Sequence, residues 1–175
     1  MTDIMIDLET VSTTPNACIL TIAAQTFDPT GSGYLPQDYY ARVDIDSQPN
    51  RDVDDATVEW WASQPAEAQA EAFGEDGRIS LEQCTKELNK FLVGVDVVWA
   101  QGPVFDIVIL ENLYQQLGLP LPWNFWQIRD SRTLFSLLPE DPRKAIRQEA
   151  HNALADCYFQ AKCVQKAYSD LKVVK

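Results

Sequence analysis

The chain has 175 residues, 46% hydrophobic and 23% charged, the balance of a globular protein long enough to bury a full core as a single domain over 1–175. No stretch is long and apolar enough to span a membrane, and strand-like sequence begins almost at once, which predicts no signal peptide. A net charge of −12 argues against broad non-specific binding of duplex nucleic acid, but not against an enzyme that grips a few nucleotides at a chain end.

Cys18, Cys84, Cys157 and Cys163 are scattered without a CxxC pair. A disulfide scaffold or zinc ribbon is therefore not expected, and a reducing cytoplasm fits best.

Residues 3–9 read as a first strand, 19–28 as a second and 38–44 as a third. Turn formers Pro29, Gly31 and Gly33 in the connections suit an antiparallel meander. "ATVEWWASQPAEAQAEAF" is helical, with Thr57 as its expected N-cap and Pro65 as a break or restart. Residues 80–93 predict another helix, with a capping-box pattern at Ser80 and Gln83. "VDVVWA", residues 95–100, is a short buried-type strand. Gly102 and Pro103 then open a helix to about Leu117, stopped by Gly118. A strand over 125–130, a short helix over 131–138 and a last helix from Asn152 to about Asp170 complete the chain. Three strands followed by alternating helices and strands indicate an α/β domain with a mixed sheet.

Several acids interrupt this pattern. In "MIDLET", Asp7 and Glu9 sit two apart within a hydrophobic strand, so both project from one face. Charge facing a core is costly unless it is paired or bound to metal. Asp106 lies on the apolar stripe of its helix with Ile109, Leu110, Leu113 and Leu117, one turn before Ile109. Near a helix N-terminus it is also explained simply as an acid favoured by the dipole. In "HNALAD", His151 is the single histidine, placed just before the N-cap Asn152, with Asp156 in the first turns. A five-residue spacing sets side chains roughly 140° apart on a helix, so His151 and Asp156 do not share a face like a zinc-binding pair. His151 taken alone also fits an ordinary helix-entry histidine. Asp7 and Glu9 form the chain's single D-x-E, whereas Asp44/Asp46 and Asp52/Asp54 lie in polar, loop-like sequence and read as solvated charge.

Four buried-leaning carboxylates would repel and raise one another's pKa values. Two divalent cations would cancel their charge, and oxygen-only ligands select Mg²⁺ or Mn²⁺ rather than zinc. Two such ions about 3.5–4 Å apart make a clamp for phosphodiester hydrolysis.

The ordered set Asp7, Glu9, Asp106, His151 and Asp156 resembles the DEDDh family of 3′–5′ exonucleases, through D-x-E on the first strand, "GPVFDIVILENLY" and H-x-x-x-x-D at the last helix. "TVEWWASQ" (57–64) and "IRDSRTLF" (128–135) are similar to features of a smaller subgroup, the mycobacterial-type exoribonucleases and phage exonuclease A. The resemblance implies a ribonuclease H-like fold with a five-stranded mixed sheet flanked by helices. Asp7, Glu9, Asp106 and Asp156 would bind two metal ions, and His151 would take a proton from the attacking water. Nucleoside 5′-monophosphates would leave one at a time from a single-stranded or frayed 3′ end of RNA or DNA. A homodimer would fit the family habit.

Leu8 and Thr10 flank the acids, where this family contacts the terminal nucleotide. Trp60 and Trp61 point about 100° apart on a helix, so one can pack inward while the other, assigned here to Trp61, stacks on a base. Phe105, beside Asp106, is a further substrate-binding candidate or core. Asp130, Arg129 and Arg132 are candidates for the site's margin, as a fifth acid and two phosphate contacts, or ordinary turn and surface residues. Two alternatives stand beside an active exonuclease: a hydrolase of very short oligonucleotides or dinucleotides, and a non-catalytic nucleic-acid-binding relative.

Overall fold

The strand that carries Asp7 and Glu9, β1 (Asp3–Thr10), runs inside the sheet of the computed structural model, which describes residues 2–146 and 152–173. β2 (Ile19–Phe27) pairs with it antiparallel, and β3 (Tyr34–Val43) pairs antiparallel with β2, giving the expected meander. All nine β2 residues are buried, as suits a near-continuous apolar run covered on both faces. β5 (Val97–Ala100) lies parallel to β1, and β6 (Ile128–Asp130) parallel to β5. Among the described residues the sheet has six strands rather than five, in the order β4-β3-β2-β1-β5-β6. The addition is β4 (Arg78–Ile79), whose two residues pair with the end of β3 and are too few to leave a periodic signal.

Among the described residues, six α-helices surround the sheet: α1 (Asp55–Ala62), α2 (Ala66–Phe73), α3 (Leu81–Phe91), α4 (Asp106–Gln116), α5 (Ser131–Phe135) and α6 (Ala153–Asp170). Alternation along β1 divides its contacts. Ile4, Ile6 and Leu8 join Leu88 of α3 and Leu110 of α4 in one core. Met5 packs with Cys157 and Val164 of α6 on the other face, the face shared by Asp7 and Glu9. A third cluster seats Trp61 of α1 and Ala68 and Ala72 of α2 against Leu20 of β2. The four cysteines are buried and free, and among the described residues no helix is long and apolar enough to cross a membrane.

Several boundaries depart from expectation for local reasons. Asp54, not Thr57, caps α1: its carboxylate accepts from the N–H groups of Ala56 and Thr57 and from the Thr57 hydroxyl. Ser80 caps α3, but Gln83 turns to Glu87 instead of closing a capping box. Residues 103–105 form a turn, with Phe105 N–H donating to Gly102, so α4 starts at Asp106. Phe125–Gln127 is a 3-10 turn that leads into β6, and a second such turn covers Pro142–Lys144.

Candidate active site

Pairing between β1 and β5 covers Asp3 to Met5 and then stops. The C-terminal half of β1 is thus open on the β5 side. There the N–H of Leu8 donates to Oδ1 of Asp106 at 3.1 Å, tying the start of α4 to the strand between the two acids. Asp106 is buried, and this bond uses an N–H that no neighbouring strand takes up.

α6 brings the fourth acid. Asn152 caps the helix by accepting from Leu154 and Ala155, and Asp156 follows in the first turn. Ligand oxygens of Asp7, Glu9 and Asp156 all lie within 4.8 Å of one another. Asp106 lines the same cavity, of about 470 Å³, but stands outside this convergent trio. Gln160, one turn beyond Asp156 on α6, donates from Nε2 to Oδ1 of Asp7 at 2.7 Å. Gln160 has no counterpart among the sequence-derived candidates, although its i+4 spacing from Asp156 puts it on the same helix face.

Burial and mutual repulsion perturb these acids strongly. Glu9 is pushed up to about 8, first by burial and then by Asp156 and Asp106. Burial lifts Asp106 to about 7 against the opposing effect of the Leu8 N–H. Asp7 is raised well above the carboxylate range by burial, then by Asp106, Glu9 and Asp156, with the Gln160 hydrogen bond opposing. Such a set ionises fully only with a cation among it, and its all-oxygen donors fit a hard divalent ion.

His151 lies outside the described residues. The other substrate candidates gather at a second cavity of about 500 Å³, which shares Leu8, Glu9, Trp60 and Phe105 with the first. The tryptophans divide as their spacing predicts, but Trp61, the expected stacking residue, is the one that packs inward. Trp61 is 2% exposed, and its indole N–H donates to the Thr10 carbonyl at 2.8 Å, so it forms a buried wall of the cavity. Trp60 is 49% exposed and borders both cavities. The Thr10 hydroxyl is held by the Ser12 carbonyl. Phe105 lines both cavities while packing on the core.

Of the marginal residues, Asp130 caps α5 through Arg132 N–H, Thr133 N–H and the Thr133 hydroxyl. Arg129 donates to the carbonyls of Trp126 and Ile128, whereas Arg132 enters the acid cavity. Arg143 also lines it, engaged by Asp141.

Comparison with known proteins agrees with this geometry. The 3′-5′ exoribonuclease Rv2179c-like domain family matches residues 2–168. An exodeoxyribonuclease of Enterobacteria phage T4 is 26% identical over 164 residues, covering 79% of this chain and 72% of that protein. Cell-death related nuclease 4 superposes with a TM-score of 0.72 at 14% identity, over 97% of this chain and 64% of that one. The nuclease domain of 3′hExo, a DEDDh family member solved with rAMP, gives 0.63 at 14% identity, over 97% and 92%. Escherichia coli exonuclease I, solved with an oligonucleotide, gives 0.68 at 16% identity, over 96% of this chain and 40% of that one. These structural likenesses are likenesses of fold, and the chain spans under two thirds of cell-death related nuclease 4 and of exonuclease I. With the family match running through β1, α4 and α6, the chain belongs to the Rv2179c-like family of 3′–5′ exoribonuclease domains.

Proposed function

We propose that this chain is a divalent-metal-dependent 3′–5′ exonuclease that releases nucleoside 5′-monophosphates from single-stranded or frayed 3′ ends. The observation that carries the reading is the convergence of Asp7, Glu9 and Asp156 oxygens within 4.8 Å, in a cavity that Asp106 also lines. The chemistry supplied by two bound Mg²⁺ or Mn²⁺ ions is neutralisation of charge on the phosphoryl group and acidification of the attacking water. Asp7, Glu9, Asp106 and Asp156 would hold them. Gln160 and the Leu8 N–H orient Asp7 and Asp106, so the carboxylates are positioned before a substrate arrives. His151, directly before the α6 cap in sequence, takes the proton from the attacking water, a role open to the side chain that most readily exchanges a proton near neutral pH. Leu8, Phe105 and the exposed face of Trp60 receive the terminal nucleoside above the buried Trp61 and Thr10.

The family's description supports RNA as substrate, and the phage relative's name supports DNA. The net charge of −12 favours a second reading, hydrolysis of substrates only a few nucleotides long. Matched 5′-labelled RNA and DNA oligomers, incubated with Mg²⁺, Mn²⁺ or EDTA beside Asp7→Ala, test both. A ladder that shortens from the 3′ end, needs metal and is lost in the variant is the expected result. Oligomers left intact while dinucleotides are hydrolysed would establish the second reading.

A further inference from the structure

The acid cavity contains two arginines, and they are placed differently. Arg143 is engaged by Asp141 through Nε and Nη2 and lies over the Phe135 ring at 5.7 Å. The Arg132 guanidinium, among the described residues, makes no ion pair and donates no hydrogen bond, although its field opposes the rise in the Asp106 pKa. Its position depends on a glycine. Gly102 has φ +112°, and a Cβ there would lie 2.8 Å from Nη1 of Arg132. A residue with a side chain at 102 would both strain the backbone and displace the guanidinium.

Placement on the sheet gives this cation a direction. The nucleoside cavity is built from the end of β1 (Leu8 to Thr10), Thr13, Phe105 and the start and outer turns of α1, which packs on β2 through Trp61. Arg132 belongs to α5, which follows β6, on the opposite flank of β1 beyond β5. A strand whose 3′-terminal nucleoside fills the nucleoside cavity, with its scissile phosphate at the acids, carries its next phosphate toward Arg132. We infer that Arg132 binds the phosphate one linkage to the 5′ side of the scissile bond, and that Gly102 is the position that leaves room for it. The inference rests on the exonuclease reading. It gives a strongly acidic protein a local anchor for the entering strand, in the planar fork that suits phosphate oxygens.

The test uses two 5′-labelled decamers that differ only at the second linkage from the 3′ end, a phosphodiester in one and a neutral methylphosphonate in the other. The first nucleotide is released across an unmodified bond in both. Arg132→Gln is expected to lower kcat/KM for this release about tenfold on the all-phosphate strand, mainly through KM. Arg132→Lys should restore part of the loss, and Gly102→Ala should reproduce it. On the methylphosphonate strand wild type and Arg132→Gln should be equal, and Arg129→Gln should change neither rate. An equal loss on both strands, or no loss on either, overturns the assignment. A wild-type protein that shortens neither strand with Mg²⁺ or Mn²⁺ overturns instead the exonuclease reading beneath it.

Discussion

Replacing Glu9 with Gln should stabilise the metal-free protein, and the gain should grow with pH. The carboxyl's pKa rises from an ordinary value near 4.5 to about 8 in the folded chain. A group whose folded pKa is raised holds its proton longer in the folded state than in the unfolded one. It therefore costs nothing below pH 4.5, and stability falls as pH climbs from there toward 8. At about 1.4 kcal/mol per pH unit the full loss is about 5 kcal/mol, an upper figure because Asp156 and Asp106 share the same repulsion. Between pH 5 and 7.5 it is about 3 kcal/mol, or about 6–12 °C in Tm for a chain of this size. The assay is thermal unfolding in EDTA at both pH values, for wild type and Glu9→Gln. Wild type should lose more than the variant on going to pH 7.5 and regain it with saturating Mn²⁺. Parallel falls in the two proteins would refute the claim that carboxylate repulsion at this site loads the fold.

Asp156→Asn should abolish both hydrolysis and the Mn²⁺-induced rise in Tm, since it removes one of the three converging ligands; a retained Mn²⁺ shift would sink its assignment. Gln160→Leu should lower metal affinity or rate about 10–100-fold by releasing Asp7, read from the Mn²⁺ dependence of single-turnover rates. His151→Ala should slow hydrolysis at neutral pH by about 10²–10⁴-fold while the Mn²⁺ shift persists, and full activity would remove it from the mechanism. The tryptophans should separate cleanly: Trp61→Ala should cost about 3–5 kcal/mol in denaturant unfolding, whereas Trp60→Ala should raise KM with little loss of stability.

What could be read from the chain was what local periodicity encodes. A period of two put Asp7 and Glu9 on one face, and the register confirms it, with Asp7 opposite Ala23 and Glu9 opposite Thr21. A period near 3.6 turned Asp106 inward from α4, where it is buried. Asn152 and Ser80 cap as their residue types suggest, because a cap is a contact between near neighbours. Thr57 failed for the same kind of reason: Asp54 offers a carboxylate that reaches two N–H groups and the Thr57 hydroxyl together. The 100° separation of Trp60 and Trp61 was legible, but which one faces the core depends on where α2 and β2 lie, and that is tertiary information.

The site itself arises from contacts that periodicity cannot show. Leu8 and Asp106 are 98 residues apart, and Asp7 and Gln160 are 153 apart. The first depends on β5 ending its pairing at Met5, which leaves the Leu8 N–H open to α4 rather than to another strand, and the second on α6 crossing the face of β1 from which Asp7 projects. A longer β5 would cover the Leu8 N–H and shut Asp106 out. The short strand of four residues is thus what admits Asp106 to the acids that β1 and α6 bring together. The same truncation lets the chain turn at Gly102, whose missing Cβ admits Arg132 from the next strand's helix. Asp106 and the proposed phosphate anchor therefore depend on one structural event, the early end of β5 pairing, and a change that extends that pairing should disable both together.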